Sequence, residues 1–163
     1  MASLQDPLVR QLLGGRYIAT FATPNANGSI HMVAVWFSFD GTSLYVATSS
    51  RSRKARNLQS SPNGSLMIDS RDPAASFGIT ITGSTQILTG DDSKAKNEII
   101  HRKYLSAEAL ADPRVGPVFA AWDDVTVQIT PTSVISWDMR EADRQVFGGT
   151  FERNPGYLLP LQR

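Results

Sequence analysis

Apolar and polar residues alternate along much of the chain, and this two-residue period is typical of β-strands with one buried face. The alternating segments are rich in β-branched and aromatic residues, and turn residues such as Asn27-Gly28 and Asp40-Gly41 separate them. The pattern predicts strands over residues 16–23, 30–39, 42–49, 64–70, 77–89 and 124–138. Because tight turns join the first three, we expect these to form an antiparallel meander.

Helical patterns are fewer. Ser3 is placed to cap a short N-terminal helix that ends at Gly14-Gly15. A further helix is expected over residues 91–105, which begin with acidic residues and carry cations toward their end. We expect its apolar stripe to consist of Ile99, Ile100 and Leu105.

Together these elements predict a mainly β protein, a six-stranded antiparallel barrel with a few short peripheral helices. Residues 1–138 would form this domain. Residues 139–163 have no clear period, which leaves two interpretations open. They form an arm that packs on a second subunit, or they form a mobile tail.

Composition narrows the functional classes. The chain has 163 residues, of which 41% are hydrophobic and 19% charged, and this suits one globular domain. The absence of cysteine excludes disulfides, thiolate metal sites and a cysteine nucleophile. The two histidines, His31 and His101, are too few to predict a metal site.

Charge and hydropathy narrow the expected partners and location. The net charge of +1 argues against a nucleic-acid-binding protein. No apolar run reaches the ~20 residues of a membrane span, and the N-terminus lacks the pattern of a signal peptide. We therefore expect a cytoplasmic protein that binds neither nucleic acid nor membrane.

The segment after the third predicted strand holds four cations: Arg51, Arg53, Lys54 and Arg56. They lie where a helix is expected to begin, although the first turn of a helix favours acidic residues. Ser49, Ser50 and Ser52 are interleaved with them, and hydroxyls, free backbone amides and cations together suit a phosphate group. A solvated helix face is the alternative interpretation. Since no second basic cluster is visible, we expect the phosphate of a small cofactor.

This segment also carries a resemblance to a known family. The run SRKARNLQSSP follows a strand that ends in Thr and precedes the strand GSLMI, and it resembles the pyridoxamine 5'-phosphate oxidase-like family of FMN-binding split barrels. The preceding GSIHMVAVWFSFDGTSLYVAT is similar to the paired central strands of that family, and ITITGSTQIL to its next long strand. The resemblance covers roughly residues 10–137 and implies a split β-barrel that acts as a flavin- or deazaflavin-dependent oxidoreductase.

The resemblance also implies which residues bind the cofactor: Val33, Ala34, Val35, Trp36, Thr48, Ser52, Arg53, Lys54, Phe77 and Gly78. Arg53 and Lys54 would bind its phosphate. The backbone over residues 33–36 would lie along the tricyclic ring, and the strand that starts at residue 77 would approach the ring edge. Members of the family are usually homodimers with both sites at the interface, so the expected partners are a second copy of the chain and a small-molecule substrate.

Two departures from the resemblance argue against vitamin B6 as the substrate. The oxidase itself has Arg where this chain has His31, and Lys where this chain has Trp36. The Trp and Arg motif near the C-terminus of the oxidase has no convincing counterpart beyond residue 138.

Three functions stay open on the sequence. The first is an FMN-dependent oxidoreductase that transfers a hydride to or from a small molecule, for which no catalytic side chain is assigned because water can supply the proton. The second uses the deazaflavin coenzyme F-420, whose acidic tail would need further cations, with Arg51 and Arg56 as candidates. The third is a non-catalytic flavin- or haem-binding protein, in which His31 or His101 would have to ligate the haem.

Overall fold

In the computed structural model, which describes residues 2–72 and 76–160, one antiparallel sheet contains seven strands. They are β1 (Ala19–Pro24), β2 (Ile30–Val35), β3 (Ser38–Phe39), β4 (Leu44–Thr48), β5 (Asn63–Asp69), β6 (Phe77–Leu88) and β7 (Val125–Asp138). Their order across the sheet is β2-β1-β5-β6-β7-β4-β3. The prediction of a mainly β, antiparallel fold is confirmed, but the predicted number of six strands is wrong by one.

The extra strand arises because the predicted strand 30–39 is broken at Trp36-Phe37. Its first part, β2, pairs with β1, whereas its second part, β3, pairs with β4. These two parts lie at opposite ends of the strand order, yet two residues join them. Since an extended chain spans at most ~3.6 Å per residue, the two edges must come close together, and the sheet curls into a split barrel. The predicted three-strand meander is therefore two hairpins, β1–β2 and β3–β4, which are joined at the break.

The hydrophobic core lies inside the curl. Helix α1 (Pro7–Gly14) packs against it and contributes Val9, Leu12 and Leu13. The largest side chains without exposed surface in the strands and in the break between β2 and β3 are Phe21, Phe37, Leu44, Leu66, Ile68, Ile79, Ile81 and Ile129. Removal of this apolar surface from water is the main stabilising contribution to the fold.

The remaining helices surround the barrel. They are α2 (Arg53–Ser60), α3 (Gly90–Tyr104), α4 (Ala107–Ala111), α5 (Gly116–Trp122), α6 (Met139–Val146) and α7 (Thr150–Arg153). A 3₁₀ turn follows at Pro155–Tyr157. Among the described residues, no helix is both long and apolar enough to cross a membrane.

The start of α1 differs from the prediction. The N-cap is Asp6, and Pro7 occupies the first helical position, where its missing N–H costs nothing. Ser3 lies before the helix, and its backbone N–H donates to the Asp6 carboxylate at 2.8 Å. The two residues interact as a capping-box pair would, but the helix begins after Asp6 and not after Ser3.

The predicted apolar stripe of α3 is confirmed only at Ile100, since Leu105 lies just after the helix and is not fully buried. Ile99 is 53% exposed, while the buried residues of the helix are Ser93, Asn97, Ile100 and His101. The three buried polar side chains are accommodated because they have partners in or next to β7. Asn97, for example, exchanges hydrogen bonds with the Asp123 carbonyl and the Thr126 hydroxyl.

The segment after residue 138 contains the helices α6 and α7 and the 3₁₀ turn. Asp138 caps α6, and the buried carboxylate of Asp143 accepts hydrogen bonds from the backbone N–H groups of Phe151 and Glu152 at 3.1 and 2.9 Å. These contacts tie α7 to α6. Whether this segment packs on a second subunit stays a prediction.

Candidate functional site

One carboxylate ties the basic segment to the sheet. Asp124, immediately before β7, accepts hydrogen bonds from the hydroxyl and the backbone N–H of Ser50, both at 2.6 Å. The Ser50 hydroxyl and then its N–H hold the pKa of Asp124 below its usual value. Since β7 also pairs with the end of β4, the loop between β4 and α2 is fixed where it leaves the sheet.

Ser52 fixes the start of α2. Its hydroxyl accepts a hydrogen bond from the N–H of Ala55 at 3.2 Å and another from the Thr48 hydroxyl at 3.1 Å. This cap offsets part of the cost of placing cations at the positive end of a helix. The hydroxyls of Thr48 and Ser52, both expected near a phosphate, are thus bonded to each other.

Next to this helix start lies a cavity of about 250 Å³, which we call the cofactor cavity. The end of β2, the end of β4, α2 and α5 all contribute to its walls. Its lining includes several residues that the resemblance implied: Ala34, Val35, Trp36, Thr48 and Lys54. The other lining residues are Ile18, Ala47, Phe119 and Asp123.

Lys54 supplies the positive charge of this cavity. Its side chain is partly buried, and burial lowers its pKa, while the negative charge of Asp123 acts in the opposite direction. In the described part of the chain, no carboxylate lies within salt-bridge distance of its ammonium group. A partly buried, unpaired cation is costly unless an anion joins it, so Lys54 is a candidate anion ligand.

Trp36 forms the aromatic wall of the cavity. Its ring stacks on Tyr104, with 5.1 Å between centroids and 1° between planes, and on Phe119, at 5.3 Å and 24°. The Tyr104 hydroxyl donates to the Tyr17 carbonyl at 2.6 Å, which holds this group in place. The wall is rigid and apolar, as the side of a pocket for a flat ligand should be.

The remaining predicted residues lie elsewhere in this chain. Arg53 lines a separate depression of about 330 Å³, together with Arg56 and residues of the β1–β2 turn. Val33 packs against the core. Phe77 is 6% exposed beneath the Arg140 guanidinium, 4.1 Å from its ring centroid, and Gly78 faces the ring of Trp137. Neither these four predicted residues, Arg53, Val33, Phe77 and Gly78, nor Ser52 at the start of α2 lines the cofactor cavity.

Sequence reasoning missed four residues that line the cavity, Ile18, Ala47, Phe119 and Asp123, and one residue that supports it, Asp124, which holds the loop beside it. The pair Asp123-Asp124 at the start of the predicted strand 124–138 was a signal. To connect this pair with the cavity, one must know that β7 pairs with β4, and the sequence pattern does not show that pairing.

The sequence profile described as pyridoxamine 5'-phosphate oxidase matches residues 6–138, and this confirms the resemblance. No protein of curated function matches the chain. An F420 reductase of known structure has 22% sequence identity and a TM-score of 0.62, covering 77% of this chain and 94% of its own.

Two further solved structures have the same fold. A conserved hypothetical protein from Mycobacterium tuberculosis has 21% identity and a TM-score of 0.69, covering 87% of this chain and 88% of its own. The heme storage protein HutZ from Vibrio cholerae has 16% identity and a TM-score of 0.62, covering 80% and 92%. At these identities the similarity demonstrates the fold alone.

The anchor at Asp124 generates a stability prediction. Asp124→Ala leaves the N–H and hydroxyl of Ser50 without their acceptor, so we expect the free energy of unfolding near neutral pH to fall by ~1 kcal/mol. The pKa of this carboxyl is lower when folded, so its contribution is complete above the unfolded pKa of ~3.9 and is lost as pH falls through the folded value.

Urea unfolding of both proteins near pH 7 and near pH 3 measures this difference. The exposed Glu98, which contacts Arg102 in the interior of α3, provides the control, and Glu98→Ala should change little at either pH. An equal difference between wild type and Asp124→Ala at both pH values would contradict the prediction.

Proposed function

The chain belongs to the pyridoxamine 5'-phosphate oxidase family, and on that premise we propose that it is an oxidoreductase that binds FMN in the cofactor cavity. The observation that carries the proposal is Lys54, a partly buried cation without an ion-pair partner among the described residues. It lines the same cavity as the strand end Ala34–Trp36, so charge for a phosphate and a wall for a flat ring occur together.

In this proposal the residues of the chain bind and enclose the cofactor. The Lys54 ammonium neutralises the phosphate through a charge-assisted contact. Trp36 and Phe119 form an apolar wall that excludes water from one side of the ring. When bound, FMN supplies the hydride chemistry, so the protein need not provide a nucleophile or a metal.

A specific observation favours a deazaflavin cofactor as the second candidate. Arg53 and Arg56 line a depression on α2 beside the polar side chains of Asn25 and Asn27. Asn57 joins the β1–β2 turn to α2 through hydrogen bonds to the side chains of Thr23 and Asn25 at 3.1 and 3.0 Å. A cofactor with an acidic tail could use these cations in addition to Lys54, whereas FMN has no tail to reach them.

A haem-binding role has less support. HutZ shares the fold, but haem requires an axial ligand. His101 is 5% exposed and its Nε2 atom is engaged by Asp123 at 2.8 Å. His31 lies on β2 opposite Thr23, and it does not line the cofactor cavity.

The absorption spectrum of the purified protein distinguishes these candidates. We expect a flavin band near ~450 nm, whereas bound deazaflavin would absorb near ~420 nm and haem would give a Soret band. If the protein is isolated without a chromophore, adding each cofactor and removing the excess by gel filtration gives the same discrimination. Retention of haem alone would contradict the proposal.

Lys54 provides the sharpest test of cofactor binding. Lys54→Ala should weaken FMN binding by ~10- to 100-fold, through loss of a charge-assisted contact worth ~1.5–3 kcal/mol. Riboflavin lacks the phosphate, so it should bind weakly to both proteins and to the same extent. Without ligand, the variant should be as stable as wild type or slightly more stable, because a partly buried charge is removed.

Fluorescence titration measures these affinities. Lys94→Ala is the matched control, because Lys94 is an exposed lysine outside the cofactor cavity. For Arg53→Ala we expect a smaller loss of FMN affinity and a larger loss for the deazaflavin coenzyme, since Arg53 lines the neighbouring depression. If Lys54→Ala binds FMN as tightly as wild type, Lys54 does not bind the phosphate, and the alternative interpretation of the basic segment as a solvated helix face is correct.

We also propose that the active form is a homodimer. The cofactor cavity, at about 250 Å³, is smaller than the ~300–1,000 Å³ of a typical complete ligand pocket. The outer side of β2 exposes Ile30 and Met32 by 58% and 60%, and such apolar surface suits a protein contact. A second subunit could also bring its strand start at Phe77-Gly78 to the ring edge.

Light scattering at micromolar concentration should give about twice the mass of the 17.8 kDa chain. Met32→Lys should shift the protein toward monomer and weaken FMN binding in parallel, because a charge enters the apolar contact. Thr82→Lys, at an exposed polar position of β6, is the control substitution. A monomer that binds FMN as tightly as the wild-type preparation would overturn the dimer.

A further inference from the structure

Asp123 separates two cavities. On one side it lines the cofactor cavity together with Lys54. On the other side it lines a second cavity of about 380 Å³ between α3, α4 and α5, which also contains His101. A single carboxylate therefore contacts both spaces.

His101 holds this carboxylate in place. Its Nε2 atom lies 2.8 Å from Oδ2 of Asp123, and the two side chains are 6% and 20% exposed. The Asn97 amide donates to the backbone carbonyl of Asp123 at 2.6 Å, and the Phe119 ring packs 5.5 Å from the imidazole. The carboxylate is thus fixed from both its backbone and its side chain.

Among the described charged residues that line the second cavity, Asp123 is the one that pairs with His101, because the others are engaged elsewhere. Lys94, Glu98 and Arg102 also line this cavity from α3. Lys94 is paired with Asp91, and Arg102 with Glu98. The lining residues from α4 and α5 carry no charge. Asp124, the next residue along the chain, is engaged by Ser50.

A phosphate in the cofactor cavity would meet two opposing charges. Lys54 attracts it, while Asp123 repels it and at the same time compensates part of the Lys54 charge. The hydrogen bond to His101 keeps the carboxylate at this position, so its charge acts on both Lys54 and an incoming phosphate.

We propose that Asp123, positioned by His101, determines how strongly the cofactor cavity selects ligands that carry a phosphate. This inference rests on the proposed function. The Asp123 carboxylate, held in place by His101, opposes a phosphate and has no such effect on an uncharged ligand, so the cavity favours phosphate less strongly than Lys54 alone would.

Substitution of each member of the pair separates the charge of Asp123 from its position. Asp123→Asn keeps an acceptor for His101 but removes the charge, so at one fixed pH it should bind FMN roughly fivefold to tenfold more tightly than wild type. Because wild type and variant are compared at the same pH, the titration of the FMN phosphate affects both affinities equally and cancels from their ratio.

His101→Gln should keep the wild-type preference. The Gln amide can still donate to Asp123 and leaves its charge unchanged, so this variant should bind FMN more weakly than Asp123→Asn does. Glu98→Gln, which removes a charge from the second cavity and not from the cofactor cavity, should match wild type. Riboflavin affinity should not change in any variant.

Fluorescence titrations of FMN and riboflavin, with circular dichroism to verify folding, test this inference. If Asp123→Asn and His101→Gln both bind FMN more weakly than wild type, the pair is structural and the inference is wrong. If wild type binds neither FMN nor the deazaflavin coenzyme, the proposed function fails and the inference with it.

Discussion

The break in the strand at Trp36-Phe37 is the constraint on which the rest of this fold depends. Because two residues connect strands at opposite ends of the sheet order, the sheet must close on itself. Phe37 enters the core with no exposed surface, while Trp36 stacks on Tyr104 and Phe119. The cofactor cavity forms at this break, because the end of β2 diverges there from the end of β4.

Helix α3 stabilises the break from outside. The Lys103 ammonium lies 4.0 Å from the ring centroid of Phe37 and donates to the Leu13 carbonyl at 3.3 Å. Burial lowers the pKa of Lys103 to about 8. The cation-π contact and the hydrogen bond offset part of this desolvation. Tyr104, the next residue, supplies the ring that stacks on Trp36.

The start of α2 carries several cations that repel one another, and the structure places them on different surfaces of the helix. Successive helical residues point about 100° apart, so Arg53 and Lys54 lead to different depressions although they are adjacent in sequence. Asp124 and the Ser52 cap hold the helix start in spite of its charge. The helix thus tolerates its cations by spreading them over two surfaces, and one of them, Lys54, becomes partly buried.

The sequence by itself determined the strands, the tight turns and the position of the basic segment, because β-branched alternation, Asn-Gly and Asp-Gly turns and helix boundaries are local properties. It did not determine that Trp36-Phe37 breaks a strand, since that break is imposed by closure of the whole sheet. Nor did it reveal the polar buried face of α3, because Asn97 and His101 are tolerable there through partners 22 or more residues away. Only the tertiary structure decided that Lys54 shares a cavity with Asp123 while Arg53 does not, because distances between charges depend on how distant segments pack.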